Sequence, residues 1–292
     1  WYTLYQGTMS HVYSFALISA FIWYSIKWYS EGGRKAWSAL RLGLLIGLIT
    51  LIRPTNIIIV LFFLFYGITR AGSLRQRGRE IVADYRLLAL IALTAFIVWL
   101  PQMVYWREMT GHWVYFSYGS DERFFFADPA IIKGLFSWRK GHFIYTPLMV
   151  FAFAGIFVLW KRRSPHALPI TIFVPFNIYI IFSWWCWWYG GGFGQRAFID
   201  SYALMAVATA SLLSAGIGPG KKWIRYPVMA TFLLLASLGV FNNFQYYHGA
   251  IHWDSMTREA YFDSFGRVRP SERFNQLLEE PDYERAREGF DR

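Results

Sequence analysis

Four cations beside apolar or aromatic stretches are the side chains of this sequence best suited to hold a phosphate. Arg53 lies between two apolar segments, Arg139 and Lys140 precede another, and Arg196 follows a run of aromatic residues and glycines. A guanidinium group holds a phosphate through parallel hydrogen bonds, and an arginine at membrane depth usually has a partner or a function because its burial is costly. All four cations are therefore candidate phosphate ligands.

The stretch 183–196 adds a candidate binding wall to these cations. It contains four tryptophans, four glycines and the pair Gln195–Arg196. Aromatic faces pack on the apolar faces of sugars or on isoprenoid tails, and glycines permit turns that other residues resist. The stretch lacks the Lys-Ser/Thr ending and the strand–helix context of a nucleotide-binding phosphate loop.

Each cluster also has a structural interpretation that the sequence leaves open. Arg53 could be satisfied by carbonyls freed at the proline that follows it. Arg139 and Lys140 could extend their charged ends from a helix terminus towards water. The tryptophans and glycines could form an interfacial aromatic belt and a turn, although a belt does not account for Gln195 and Arg196.

Two carboxylates in the long loop 107–143, Asp121 and Glu122, are the candidate catalytic residues. Adjacent acidic side chains can act as a general base or bind a metal, but they are also common on solvated loops. His11, His112 and His142 are scattered without ligand spacing. The sequence assigns no metal ligand and no certain cofactor, and it leaves a divalent metal open.

The composition predicts an all-α, polytopic transmembrane bundle that positions these residues. Of the 292 residues, 55% are hydrophobic and 21% aromatic, and the mean hydropathy is +0.28. The apolar residues form blocks of roughly 15 to 20, the length that spans a bilayer. We predict about eight membrane segments, at 10–28, 40–52, 55–69, 87–106, 144–160, 168–184, 198–217 and 226–241.

Two domains are expected from this pattern. Residues 1–243 form the transmembrane domain, and residues 244–292 form a short, mostly helical tail outside the membrane, in which Ser271 and Asp282 have the pattern of helix N-caps. Because the chain begins with Trp1 and lacks an initiating methionine, we interpret it as the C-terminal part of a longer protein.

Charge decides how the second and third segments are connected. If they form a hairpin at Arg53, the connectors 27–41, 70–86, 161–163 and 221–225 lie on one side with 15 basic and three acidic residues. A single kinked helix would place these cations on both sides. Basic residues concentrate on the cytoplasmic side, so the pattern favours the hairpin. The net charge of +11 then reflects topology and contact with the lipid bilayer, not binding of nucleic acid.

Four motifs on the predicted outer side carry a family resemblance. They are Arg53-Pro54, the stretches 136–142 and 145–147, the stretch 188–196 and the stretch 6–11. With these motifs on one side, and with the stretch 6–11 first in the chain, the sequence resembles bacterial multi-spanning glycosyltransferases of the GT-C fold. The nearest resemblance is to protein mannosyltransferase-like and aminoarabinose transferase-like enzymes, and it is glycosyltransferase family 39-like. The resemblance covers about residues 6–218.

The resemblance implies a multi-pass protein of the bacterial inner membrane with a periplasmic active face. It would transfer a sugar from a polyprenyl-phosphate donor to an unknown acceptor. By motif position, the ligands of the donor phosphate would be Arg53, Arg139, Lys140 and Arg196, and the substrate wall would contain His142, Tyr145, Trp188, Tyr189 and Gln195. Such enzymes carry their catalytic acidic residue in the first outer loop, which would precede this chain.

Two other functions fit the same residues. A transporter or flippase of lipid-linked sugars would use the cations and aromatic residues for binding without bond cleavage. Broken helices in matching halves would favour transport, but the sequence shows one such break, at Arg53. A non-catalytic membrane assembly protein on the same scaffold is the third possibility.

Overall fold

The structure, a computed structural model, describes residues 2–3, 5–30, 32–119, 121–216 and 222–290. Several residues that enter the sequence predictions, Trp1 among them, lie outside this part of the chain. Glu31 and Lys221 are counted among the residues of the basic connectors, and Ile217 is the predicted end of the seventh apolar segment.

The described residues form an all-helical protein with thirteen α-helices and three short 3-10 helices. The α-helices are α1 Ser10–Trp28, α2 Ala36–Ile52, α3 Val60–Phe65, α4 Ala71–Ala83, α5 Tyr85–Thr110, α6 Ile131–Phe136, α7 His142–Tyr145, α8 Met149–Lys161, α9 Ala167–Ser183, α10 Tyr202–Gly216, α11 Lys222–Tyr247, α12 Arg258–Ser264 and α13 Tyr283–Glu288. The 3-10 helices are Pro54–Ile59, Arg196–Ser201 and Phe274–Leu277.

Three stretches of helix are long and apolar enough to cross a bilayer. They are Tyr85–Thr110, Arg196–Gly216 and Arg225–Tyr247. Shorter apolar helices occupy Ala36–Ile52, Pro54–Phe65, Met149–Lys161 and Ala167–Ser183. Each predicted apolar segment thus coincides with helix, and the first has the predicted bounds.

The chain reverses direction at Arg53. This residue is extended, with φ −147° and ψ 105°, because a residue before proline avoids helical geometry. His11 at the start of α1 lies beside Arg53, whereas Trp28 at the end of α1 contacts Phe63 near the end of α3. Helices α1 and α3 therefore run in the same direction with α2 antiparallel to both, as the hairpin interpretation predicts.

The basic connectors meet at the end of the bundle where α1 and α3 finish. Arg34 pairs with Glu80 at 2.9 Å and with Asp84 at 3.0 Å, which joins the connector after α1 to α4. The amide of Gly67 donates to the carbonyl of Pro165, so the connector between α8 and α9 lies there too. Segregation of these cations at one end matches the charge pattern from which the topology was predicted.

Helix α4 lies in a stretch that the sequence analysis treats as a connector. Arg77 faces the bundle, with its guanidinium carbon 3.7 Å from the ring centre of Tyr29, while Leu74, Ile81 and Val82 are exposed. An exposed apolar face on an arginine-rich helix is typical of a helix at a membrane interface. Its arginines lower the hydropathy of the stretch, so it does not stand out as an apolar segment in the sequence.

The tail contains the expected short helices. Helix α11 continues to Tyr247, past the predicted domain boundary at 243/244. The carboxylate of Asp282 accepts a hydrogen bond from the amide of Arg285, so the predicted N-cap of α13 is confirmed. The prediction for Ser271 is wrong, because its hydroxyl donates to Asp263 instead of capping a helix.

Candidate functional site

A cavity of about 800 Å³ lies at the end of the bundle opposite the basic connectors. Its walls come from the start of α1, the ends of α2, α5 and α9, the loop before α6 and the tail. Its polar lining includes His11, Arg53, Asn56, Glu122 and Arg196. Arg53 and Arg196, which are 143 residues apart in sequence, therefore share one cavity.

The buried carboxylate of Asp200 holds the polar wall of this cavity together. Its Oδ2 accepts hydrogen bonds from Arg53 Nη1 at 3.1 Å and from Asn56 Nδ2 at 2.8 Å, and its Oδ1 lies 3.0 Å from Nδ1 of His11. Asp200 is 3% exposed, and a carboxylate at such depth requires partners of this kind. The cluster links the start of α1, the reversal at Arg53 and the 3-10 helix Arg196–Ser201.

The imidazole of His11 fixes Arg53 from a second side. Its Nδ1 lies 3.0 Å from Asp200 Oδ1 and 3.0 Å from Arg53 Nη1. A protonated Nδ1 donates to the carboxylate, and an unprotonated one accepts from the guanidinium, so the nitrogen serves one partner at a time. In both arrangements the charge of Arg53 is balanced by Asp200.

Arg196 differs from Arg53 because no carboxylate in the described part of the chain lies within ion-pair distance of it. Its Nη1 donates to the carbonyl of Gly191 at 2.7 Å, and its Nε is buried without a hydrogen-bond partner. A buried donor on a cation is costly unless an acceptor reaches it. Arg196 therefore brings an uncompensated positive charge to the cavity.

Lys140 holds the glycine-rich loop and does not line the cavity. Its Nζ donates to the carbonyls of Gly190 at 3.0 Å and Gly192 at 2.5 Å, and the residue is 1% exposed. Gly192 has a φ of 135°, and a Cβ there would lie 2.7 Å from the hydroxyl of Tyr2, so the loop needs glycine at this position. The predicted phosphate ligand is thus placed against backbone carbonyls.

The buried position of Lys140 predicts a pH dependence of stability. Burial, with the charge of Arg196 nearby, lowers the pKa of Lys140 from 10.5 to about 7. The unfolded chain binds more protons between these values, so stability rises with pH through this window and the burial cost is fully present below pH 7. We expect the apparent Tm in detergent to rise between pH 7 and 10 relative to that of a Lys140→Met variant. Parallel pH profiles of the two proteins would contradict this assignment.

Arg139 also lies outside the cavity and binds the tail. Its Nη1 donates to the carbonyl oxygens of Asp254 and Glu279, each at 3.0 Å. The pair predicted to bind one phosphate therefore diverges, since Lys140 holds the glycine-rich loop while Arg139 holds the tail. Adjacent residues need not point into the same site, and this explains the difference from the prediction.

Among the five residues predicted to form the substrate wall, Tyr189 lines the cavity. His142, Tyr145, Trp188 and Gln195 are each at most 2% exposed. The Tyr145 hydroxyl and the Gln195 amide donate to backbone carbonyls. These four side chains support the loops around the cavity from behind, and the structure does not place them on its surface.

The tryptophan run folds inward against the bundle. Trp187 and Trp188 are 2% and 0% exposed and pack in one buried cluster with Phe198 and Ala286. Trp184 and Trp185 line the cavity. The four tryptophans of this run therefore pack beneath the outer loops.

The loop before α6 brings Glu122 to the cavity, whereas Asp121 does not line it. An isolated antiparallel bridge between Phe124 and Trp184 ties this loop to the end of α9. In the described part of the chain, Glu122 is the carboxylate on the cavity surface. Of the two predicted catalytic candidates, the structure brings this one to the cavity that Arg53 and Arg196 line.

One flank of the cavity is apolar and borders the outside of the bundle. Trp99 and Trp106 of α5 line it, with ring centres 6.0 Å apart, and Ile180 of α9 also lines the cavity. Only 6% of the most apolar stretch of α5 is buried within the protein. Helix α5 therefore contributes apolar side chains to the cavity while most of its own surface is not buried within the protein.

The sequence alone assigns no role to Asp200 or Asn56, and His11 enters it as a possible metal ligand and as part of the stretch 6–11 that carries the family resemblance. The signal for Asp200 was present, because an acidic residue inside a predicted apolar segment usually has a partner or a function. Its partners are 144 to 189 residues away, so local patterns could not identify them.

The described residues contain no group of three or more His, Cys, Asp or Glu side chains that could hold a metal ion. Comparisons of the chain with protein-family models, with curated proteins and with solved structures gave no match.

Proposed function

We propose that this chain is part of a GT-C-like glycosyltransferase of the bacterial inner membrane, with about eight membrane segments. It transfers a sugar from a polyprenyl-phosphate donor to an acceptor on the periplasmic side. The observation that carries the proposal is one cavity in which the uncompensated Arg196 lies near an apolar flank beside α5. A lipid phosphate needs both of these features.

Arg196 binds the donor phosphate in this proposal, and Arg53 assists it. The guanidinium of Arg196 lines the cavity and has no carboxylate partner among the described residues, so a phosphate there would balance its charge. Arg53 keeps its ion pair with Asp200 at 3.1 Å and adds positive potential at a fixed position. Cations fixed in advance stabilise the charge that grows on a departing phosphate.

The apolar flank suits the polyprenyl chain. The rings of Trp99 and Trp106 and the side chain of Ile180 give it an apolar surface at the bilayer-facing side of the cavity. The donor would enter laterally, with its phosphate at Arg196 and its hydrocarbon chain along α5. No nucleotide-binding fold is then needed, because the donor arrives within the membrane.

The proposed reaction is a nucleophilic substitution at the anomeric carbon of the donor sugar. An acceptor hydroxyl attacks that carbon, the bond from the carbon to the phosphate oxygen breaks, and the polyprenyl phosphate leaves with the bonding electrons. The hydroxyl proton passes to a base. Glu122 is the carboxylate of the described residues that lines the cavity, while the resemblance implies a further acidic residue upstream.

The buried core favours an enzyme over a transporter. Ile18, Phe21, Leu42 and Ile49 are at most 1% exposed and fill the bundle between the cavity and the basic connectors. A transporter opens its binding site to each side of the membrane in turn, usually with broken helices in matching halves. The sequence shows one broken segment, at Arg53, and the packed interior suits a site that opens to one side.

The full-length protein in lipid nanodiscs provides the test. Supplied with hexoses and pentoses linked to polyprenyl phosphate, and with acceptor extracts of the cell envelope, it should release polyprenyl phosphate and transfer the sugar. Nucleotide-linked sugars should not replace the lipid-linked donors. Movement of intact lipid-linked sugars across the bilayer without release would instead identify a flippase and refute the enzymatic proposal.

A further inference from the structure

We propose that the C-terminal tail completes the ligand site, with Arg287 as a second phosphate-binding cation on the cavity. The inference rests on the proposed function, which puts one lipid phosphate at Arg196. A second cation on the cavity implies that the molecules bound there carry a second phosphate group. That group belongs either to a diphosphate-linked lipid donor or to a phosphorylated acceptor.

Helix α13 is docked firmly enough to form part of a site. Ala286 is 0% exposed and packs in the cluster that contains Trp185 and Trp188. Arg139 binds the carbonyl of Glu279, in the segment that leads into this helix, at 3.0 Å. The tail is therefore anchored to the outer loops both before α13 and within it.

Tyr283 positions α13 at the cavity through a buried carboxylate. Its hydroxyl donates to Asp254 Oδ2 at 2.6 Å, and its ring lies 5.5 Å from that of Trp188. Burial raises the pKa of Asp254, but hydrogen bonds from His252, Tyr283 and Ser255 outweigh it and keep the pKa below its usual value. Asp254 therefore stays ionised and holds Tyr283 in the cavity wall.

Arg287 lies one turn beyond Tyr283 and also lines the cavity. Its guanidinium carbon lies 5.1 Å from the ring centre of Trp185, a stacking that orients the planar group. Within the described residues no carboxylate forms an ion pair with Arg287. A stacked, exposed and unpaired guanidinium is suited to bind a phosphate.

The positive charges on the cavity surface exceed what a single phosphate charge would balance. Three arginines line it, namely Arg53, Arg196 and Arg287, while Glu122 is the lining carboxylate in the described residues. Asp200 compensates Arg53 from behind the wall. Arg196 and Arg287 thus line one cavity from distant parts of the chain, and neither has a carboxylate partner among the residues that the structure describes.

The experiment measures binding to the full-length protein in nanodiscs. The probes are undecaprenyl phosphate, undecaprenyl diphosphate, and inorganic phosphate added to protein already saturated with undecaprenyl phosphate. The variants are Arg287→Gln and the matched control Arg285→Gln, which alters an exposed arginine on the same helix that does not line the cavity. Equal apparent Tm values for the two variants will verify that the tail remains docked.

Arg287→Gln should leave the affinity for undecaprenyl phosphate within about twofold of the wild-type value. If the donor supplies the second phosphate, the variant should weaken the binding of undecaprenyl diphosphate by about tenfold. If the acceptor supplies it, the variant should abolish the binding of inorganic phosphate. The inference is overturned if undecaprenyl phosphate binds the wild-type protein while Arg287→Gln matches Arg285→Gln with all three probes. Failure of undecaprenyl phosphate to bind the wild-type protein would instead refute the proposed function.

Discussion

Replacing Arg196 with glutamine is expected to weaken the binding of undecaprenyl phosphate by about 10- to 100-fold, since a hydrogen bond to a charged group contributes about 1.5–3 kcal/mol. Arg196 is expected to have a larger effect than Arg53 because the charge of Arg53 is already balanced by Asp200 at 3.1 Å. The measurement is the dissociation constant in nanodiscs at two ionic strengths.

Two variants separate loss of the phosphate contact from loss of structure. Arg196→Lys keeps the charge but loses the planar guanidinium, so it should restore part of the affinity. Arg123→Gln is the matched control, because Arg123 lies over the ring of Phe125 in the neighbouring loop and does not line the cavity. Wild-type affinity in Arg196→Gln would exclude the assigned phosphate site.

The second large effect is expected from Asp200→Ala, which should lower the free energy of unfolding by about 3–5 kcal/mol. The substitution leaves Arg53 without its counter-charge, and it removes the acceptor that joins Asn56 to the start of α1. Thermal unfolding in detergent gives the stability. The rate of thiol labelling of Cys186, the single cysteine of this chain and part of the cavity wall, reports loosening of the site.

The control for this prediction is Asp84→Ala at the opposite end of the bundle. Asp84 pairs with Arg34 at 3.0 Å, but both side chains are partly exposed, so the loss should be at most about 1 kcal/mol. The double variant Arg53→Gln/Asp200→Asn should be less destabilised than the sum of its two single variants, because it leaves no unpaired charge. Additive effects would show that the two side chains do not form the ion pair.

The helices could be predicted from the sequence because apolar blocks determine them directly. The segment predicted at 10–28 has the observed bounds of α1. The segment predicted to begin at 144 instead begins at Met149 as α8, because Pro147 separates it from α7. Helix α4 was missed because arginines mask its apolar face.

The site could be predicted only in part, for reasons of distance along the chain. Arg53 and Arg196 were recognised because a cation beside an apolar segment is a local signal. The role of Asp200 depends on hydrogen-bond partners that are far away in sequence. The different orientations of Arg139 and Lys140 depend on which loops fold over them. Arg287 could not be predicted, because an arginine in a polar tail gives no local signal of a binding role. Only the structure shows that the tail lines the cavity.

Thiol labelling from one side of the membrane tests the central claim most directly. In a Cys186→Ser background, Glu122→Cys places a thiol on the cavity, and Arg163→Cys places one at the end with the basic connectors. In right-side-out vesicles, a membrane-impermeant maleimide should label the thiol at position 122 without permeabilisation, undecaprenyl phosphate should slow that reaction, and position 163 should react only after permeabilisation. Labelling of both positions from the same side, or a rate at position 122 that undecaprenyl phosphate does not change, would contradict an outward-facing cavity for a lipid phosphate.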